Sequence, residues 1–193
     1  AAGSGIEYGE RVRTAPGESA LVELADGSLI EVRERSWLSL RANRRGTTID
    51  LERGSVIVQA APQRDGHLYV ATGDCLVSVT GTIFAVNHGT KGSRVSVIEG
   101  EVKVDAGGLE TVLRPGEQTA THASLARVPI SQDIAWSRDV DEYIELMREV
   151  SELRRALVDE VPKPALRYSS RLLEMVPERT VFFVALPNLA ETI

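Results

Sequence analysis

The chain is poor in the residues that most site chemistry needs. Cys75 is the single cysteine among 193 residues, so no intrachain disulfide can form and no cysteine-based metal site can exist. Phe, Trp and Tyr together make up 5% of the chain, too few for a platform that stacks bases or sugars. Lysine and arginine number 22 against 28 aspartates and glutamates, and the net charge of −6 excludes the basic face of a nucleic-acid binder. No stretch approaches the ~20 apolar residues of a membrane-spanning helix. The three histidines, His67, His88 and His122, stand far apart, without the closely spaced pair and carboxylate of a cupin-type metal barrel. Each reads as an exposed structural histidine. Gly3-Ser4-Gly5 neither follows a strand nor opens a helix, and Ser169-Ser170 lacks a nucleophile-elbow context. Composition and motifs therefore predict no catalytic residue, no cofactor and no metal.

What the chain does have is a recurring glycine phrase. It occurs as Asp26-Gly27-Ser28-Leu29-Ile30, Gly54-Ser55-Val56-Ile57-Val58, Gly81-Thr82-Ile83-Phe84 and Glu99-Gly100-Glu101-Val102. Each glycine precedes a short β-rich run, and Asp-Gly between alternating runs is a hairpin signal. The spacing between phrases is irregular, unlike that of a strict solenoid. Alternation from Ala20 through Thr121 predicts a mainly β fold of about ten to twelve short strands, as a twisted roll, solenoid or sandwich. Thr48–Leu51 and Val56–Val58 read as separate strands joined through Glu52-Arg53-Gly54. Cys75, at the head of Leu76-Val77-Ser78-Val79, reads as a small buried hydrophobe.

The period changes from 2 to 3.6 after Gln132. Trp136, Val140, Tyr143, Met147, Val150, Leu157 and Val161 recur at helical spacing, and Ile144, Leu153 and Val158 widen the stripe. Asp139 followed by Glu142 predicts an N-cap and N3 pair, with Ser137 as the competing cap. Pro162 and Pro164 end this helix, and a second short helix is predicted over 165–175. Thr180–Leu186 has the length of a strand, and Asn188 with Glu191 has capping-box spacing. The predicted organisation is a β domain over 1–130, an amphipathic helix over 131–162 packing on that domain or on a second copy, and the start of a further α/β domain over 163–193. With an opening Ala1-Ala2-Gly3-Ser4 and no signal-peptide pattern, the chain is expected to be a portion of a longer protein.

The β region resembles the FecR domain family. The resemblance, over about residues 9–120, is carried in order by Arg11-Val12-Arg13-Thr14, Leu24-Ala25-Asp26-Gly27-Ser28, Leu51-Glu52-Arg53-Gly54-Ser55-Val56, Tyr69-Val70-Ala71-Thr72, Val77-Ser78-Val79-Thr80-Gly81-Thr82-Ile83-Phe84-Ala85-Val86, Val95-Ser96-Val97-Ile98-Glu99-Gly100-Glu101-Val102 and Leu113-Arg114-Pro115-Gly116-Glu117. It implies an extracytoplasmic, periplasmic all-β domain that acts by protein contact, as in regulators that relay the state of an outer-membrane receptor to a sigma factor. The segments around Leu166–Leu173 and Pro177–Asn188 look like those of large, uncharacterised bacterial envelope proteins that carry such domains, which implies a membrane-anchored parent protein.

These observations predict a non-catalytic interaction or sensory module in envelope signalling or assembly, with a glycan- or peptidoglycan-binding β module as the alternative. Trp136, Tyr143 and Trp37 are the candidate partner-binding residues, since aromatics anchor interfaces. Aromatics such as Trp136 and Tyr143 more often pack a helix onto its own domain, which is the competing reading. The expected partner is an envelope protein; nucleic acid and membrane insertion are not expected. The helix over 139–161 offers a route to a homo-oligomer.

Overall fold

The structure, a computed structural model, describes residues 9–43, 46–62 and 67–160. Among these lie twelve strands: β1 (Arg11–Arg13), β2 (Ala20–Glu23), β3 (Leu29–Val32), β4 (Trp37–Asn43), β5 (Gly46–Gln59), β6 (His67–Ala71), β7 (Leu76–Val79), β8 (Ile83–Gly89), β9 (Gly92–Glu99), β10 (Val102–Ala106), β11 (Leu109–Leu113) and β12 (Gln118–Ala120). Two helices follow, α1 (Ile130–Asp133) and α2 (Val140–Glu160). The fold belongs to the first of the chain's two units, Ala1–Arg155, whose boundary falls inside α2. The helix predicted over 165–175 and the strand over 180–186 lie outside the described residues.

The strands make one nearly closed, barrel-like sheet that is best read as two layers sharing β5. Sheet A runs β1-β4-β5-β6-β7-β10-β11, and sheet B runs β2-β3-β5-β8-β9-β12. Pairing is antiparallel except for β5 with β6. This settles the predicted choice in favour of a roll or sandwich over a solenoid.

The 14-residue β5 replaces the two short strands expected there, and its alternation shows how. In its first half the odd-numbered Ile49 and Leu51 point inward; in its second half the even-numbered Val56 and Val58 do. A strand exchanges faces every residue, so this change of parity needs one extra residue. The register supplies it: Trp37 faces Arg53 while Leu38 faces Leu51, leaving Glu52 as a bulge. The bend lets both halves of β5 aim at one core as the chain passes from sheet A to sheet B. Gly54, at φ +105, completes the corner, where a Cβ would lie 2.6 Å from the Cα of Ser36. Gly27, in the β2–β3 hairpin, has open space around it instead.

The core between the layers is built from inward residues of both sheets, among them Val32, Leu38, Ile49, Leu51, Val58, Val70, Val77, Phe84, Val95 and Val104. A second, outer cluster lies on the far side of sheet B. There Ile57, Ile83, Ala85 and Ile98 meet Ile134 and Tyr143, with Ile130, Trp136, Val140, Leu146 and Met147 packed around them. The chain thus needs a third layer over sheet B, and α1 with the first turns of α2 provides it. Farther along α2, Leu153 is 64% exposed.

Candidate interaction surface

The helical layer is locked to sheet B by polar contacts at both ends. Arg94 of β9 donates to Asp133 Oδ1 at 3.1 Å and to the Ala126 carbonyl at 2.9 Å, and Ser96 donates to Asp133 Oδ2 at 3.1 Å. The Arg94 and Asp133 side chains are only 12% and 8% exposed, so this ion pair is desolvated and must be well hydrogen-bonded to persist. At the other end, Ser137 donates to Glu31 Oε2 at 2.8 Å across 106 residues of sequence. Arg138 stands 3.9 Å from Glu31 Oε1. Burial pushes the Glu31 carboxyl above its ordinary value, the neighbouring Asp139 adds to the rise, and the Ser137 hydroxyl opposes it. Asp139 sits just ahead of α2, and its carbonyl accepts the N–H of Tyr143 at 3.1 Å, as the predicted cap position requires.

The aromatic candidates separate on this frame. Tyr143 is 4% exposed, its ring turned inward on sheet B, and burial first and the Glu31 charge second push its phenol well above the usual range. Trp136 is half-buried over the same cluster; its Nε1 donates to the Asp133 carbonyl at 2.9 Å, and the Arg33 guanidinium lies 5.9 Å from its ring centre. Trp37 stands on the opposite, outer face of sheet A, 40% exposed, with the Arg13 guanidinium 3.7 Å from its ring centre. The structure therefore groups Trp136 with Tyr143 and keeps Trp37 apart.

One end of the fold carries a polar cluster that sequence reasoning missed. Asp74, in the β6–β7 turn, accepts hydrogen bonds from the Ser93 N–H at 3.0 Å, from the Thr72 hydroxyl at 2.9 Å, and from the Ser93 and Thr121 hydroxyls. Burial works to raise Asp74, but the hydrogen bonds from Ser93, Thr121 and Thr72, helped by His88, outweigh it and hold the carboxyl below its usual range. His88, expected to be exposed and isolated, is neither: its Nδ1 lies 2.9 Å from Ser93 Oγ and 3.6 Å from Asp74 Oδ1. β8 runs edge to edge with β9, so their hairpin brings His88 and Ser93 side by side.

Asp, His and Ser invite comparison with a hydrolase triad. In such a relay the serine and the aspartate meet opposite nitrogens of the ring. Here one nitrogen faces both groups, so the cluster ties the β6–β7 turn of sheet A to the β8–β9 hairpin of sheet B and to Thr121. Cys75 is buried beside it, with Thr72 Oγ1 3.3 Å from its Sγ; burial pushes its thiol up, away from the thiolate a nucleophile needs. His122 is exposed and bonded to Ser124 at 2.7 Å. Among the described residues, no group of three His, Cys, Asp or Glu side chains is placed to hold a metal, and no helix is long and apolar enough to cross a membrane. The Asp74 cluster left no local signal to find, because its members come from positions 72 to 121 and meet only through strand pairing.

Comparison with known proteins follows the fold. Residues 10–103 match the family described as FecR protein. Two crystal structures of a candidate anti-sigma factor from Parabacteroides distasonis ATCC 8503, at 2.50 Å and 1.65 Å resolution, are similar at TM-score 0.54 and 21% identity over 61% of this chain. The chain spans 57% of the length of each. At that identity the likeness establishes a shared fold. No curated protein matches the chain.

Proposed function

From the premise that residues 10–103 are a FecR-family domain, we propose that it is a non-catalytic protein-contact module of envelope signalling, working on the extracytoplasmic side as part of a membrane-anchored protein. The family match carries this reading. The similar fold of the candidate anti-sigma factor supports the regulatory sense of it. The distribution of surface fits as well: sheet B is covered by the chain's own helices, whereas the outer face of sheet A presents charged side chains such as Arg11, Arg41, Glu52 and Lys103 to solvent. The Asp74 cluster acts as a clasp rather than a reaction centre.

A glycan-binding module is the competing reading, and it turns on Trp37. Sugar rings dock on an open aromatic face, but one face of Trp37 is already covered by Arg13 at 3.7 Å. Affinity capture from envelope fractions with the tagged chain tests the choice. Recovery of a specific protein supports the module; retention on isolated cell wall with no protein recovered reverses the order of the two readings.

A further inference from the structure

We propose that the open face of sheet A carries a binding groove for an acidic, extended polypeptide segment, built from Arg13, Trp37 and Arg53 in a row across three strands with Arg35 at its end. The inference rests on the reading of the domain as a protein-contact module and specifies the chemistry of the partner. The row follows from register: Arg13 of β1 pairs with Trp37 of β4, and Trp37 pairs with Arg53 of β5. A shallow cavity of about 480 Å³ lies over it, bounded by the three arginines Arg13, Arg35 and Arg53, by Trp37 and Pro16, and by one carboxylate, Glu18. A second depression continues past Arg13 and Trp37 to Arg11 and Glu52, so the surface is a strip along β1.

The charge in this strip is unbalanced. Neighbouring arginines have carboxylate partners, Arg11 with Glu52 at 3.6 Å and Arg41 with Asp50. Among the described residues no carboxylate lies within ion-pair distance of Arg13, Arg35 or Arg53. The acids at the rim are engaged with backbone: Glu18 accepts the Ala15 N–H at 3.2 Å, and Glu34 accepts the Gly17 N–H. Three guanidiniums outside ion pairs, against the single lining carboxylate Glu18, make a local cationic excess on a chain of net charge −6, and the planar guanidinium binds carboxylates in a two-pronged fashion.

The groove is also held in shape. Arg35 has φ +58 and is the one non-glycine among the described residues in the left-handed region, a conformation costing on the order of 1 kcal/mol. It is fixed by Thr14, whose carbonyl accepts the Arg35 N–H at 3.0 Å and whose hydroxyl accepts the Ser36 N–H at 2.9 Å. The buried Thr14 thereby sets the β3–β4 turn and aims its arginine. An extended polypeptide suits the site because Arg13 and Arg53 stand two strands apart across the face, about 10 Å, a span that carboxylates on alternate positions of an extended chain can bridge.

Titration of the intact chain by tryptophan fluorescence and calorimetry tests the proposal with three probes: hexaglutamate, hexaglutamine and an oligogalacturonate of matched charge. Hexaglutamate should bind, with affinity falling as salt rises, and hexaglutamine should not. Arg53→Glu should weaken hexaglutamate at least tenfold, Arg35→Gly should weaken it while relaxing the backbone and preserving the fold, and Arg127→Glu, remote in sequence, should leave it unchanged. The proposal is overturned by failure of hexaglutamate to bind, by undiminished binding in Arg53→Glu or Arg35→Gly, or by oligogalacturonate binding as tightly. Envelope capture with the Arg53→Glu chain separates the two readings. A protein recovered equally by wild type and variant overturns the groove and leaves the module standing. Hexaglutamate binding that these substitutions abolish, with no protein captured by wild type, supports the groove and overturns only an envelope protein as its partner.

Discussion

The two sheets share β5 and a core, yet their outer faces are opposite in kind. On sheet B, outward Ile57, Ile83, Ala85 and Ile98 form an apolar face that the helical layer buries. On sheet A the corresponding positions carry Arg11, Arg13, Trp37, Asp50, Glu52 and Lys103, interspersed with the exposed Leu76 and Val112, and no helix lies over them among the described residues. A mostly antiparallel sheet tolerates one solvated face, so the charged face of sheet A does not call for a covering layer as the apolar face of sheet B does. The difference teaches that sheet B needs its outer layer for stability, while the outer face of sheet A is left to solvent among the described residues.

The largest expected effect comes from breaking the joint that lets the two faces differ. Gly54→Ala puts a side chain at φ +105 and against the backbone of Ser36, so neither a backbone adjustment nor a rotamer change relieves it. A loss of about 4 kcal/mol, or failure to fold, is expected in urea denaturation. Gly27→Ala, equally left-handed but in open space, should cost only about 1 kcal/mol. Equal costs at the two positions would show that crowding at the corner is unimportant.

Next in size is Tyr143→Ala, which removes the largest side chain that α2 buries on sheet B. Truncating a buried aromatic costs about 3 kcal/mol. If the helical layer is integral to sheet B, the whole unfolding transition shifts to lower urea. A transition left in place, with loss of helical signal only, would mean that the layer melts separately and that sheet B stands without it.

Much of this division was legible along the chain. The period-2 runs locate nearly every strand, and the parity change between Leu51 and Val56 is visible in the residues, although by itself it fits two strands with a turn equally well. Pairing joined them, because both halves of β5 find partners on each side. The stripe through Val140, Tyr143 and Met147 was equally plain. What was not legible is contact between distant polar residues: Glu31 with Ser137, Arg94 with Asp133, Asp74 with Ser93 and Thr121. A single buried glutamate on a strand leaves no periodic trace, and His88 looked isolated because its partners arrive from another turn.

A smaller effect separates the helix-covered face from the clasp by pH. The folded-state value of Glu31 lies above its ordinary 4.5, so the native state holds more protons than the unfolded state from about pH 4.5 upward to that folded value. Its contribution is therefore fully favourable below 4.5 and is lost as pH rises through that window, with burial and Asp139 raising the folded value and the Ser137 hydroxyl opposing them. Glu31→Gln keeps an acceptor for Ser137 and removes the titration, so its stability relative to wild type should climb as pH rises from 4.5. Asp74 has the opposite sign: held below its ordinary 3.8, it stabilises above that value and its contribution is lost as pH falls through the folded value. Asp74→Asn should flatten the acid side of the profile and leave the neutral side parallel to wild type. Urea midpoints from pH 3 to pH 8 distinguish the two; a Glu31→Gln profile parallel to wild type throughout would mean that the docked helix does not desolvate this carboxyl.

The smallest effect on folding is expected from Trp37→Ala, and its smallness is informative. The ring is 40% exposed, and its main specific contact is the Arg13 guanidinium, a cation–π pair worth about 0.5–1 kcal/mol at such a site. Stability should fall by no more than about 1 kcal/mol, a fraction of the Tyr143→Ala loss, although tryptophan is the larger side chain. The variant loses the wall between Arg13 and Arg53, so binding of hexaglutamate should weaken severalfold while the fold persists. A stability cost matching that of Tyr143→Ala would make the face of sheet A a packing surface like that of sheet B.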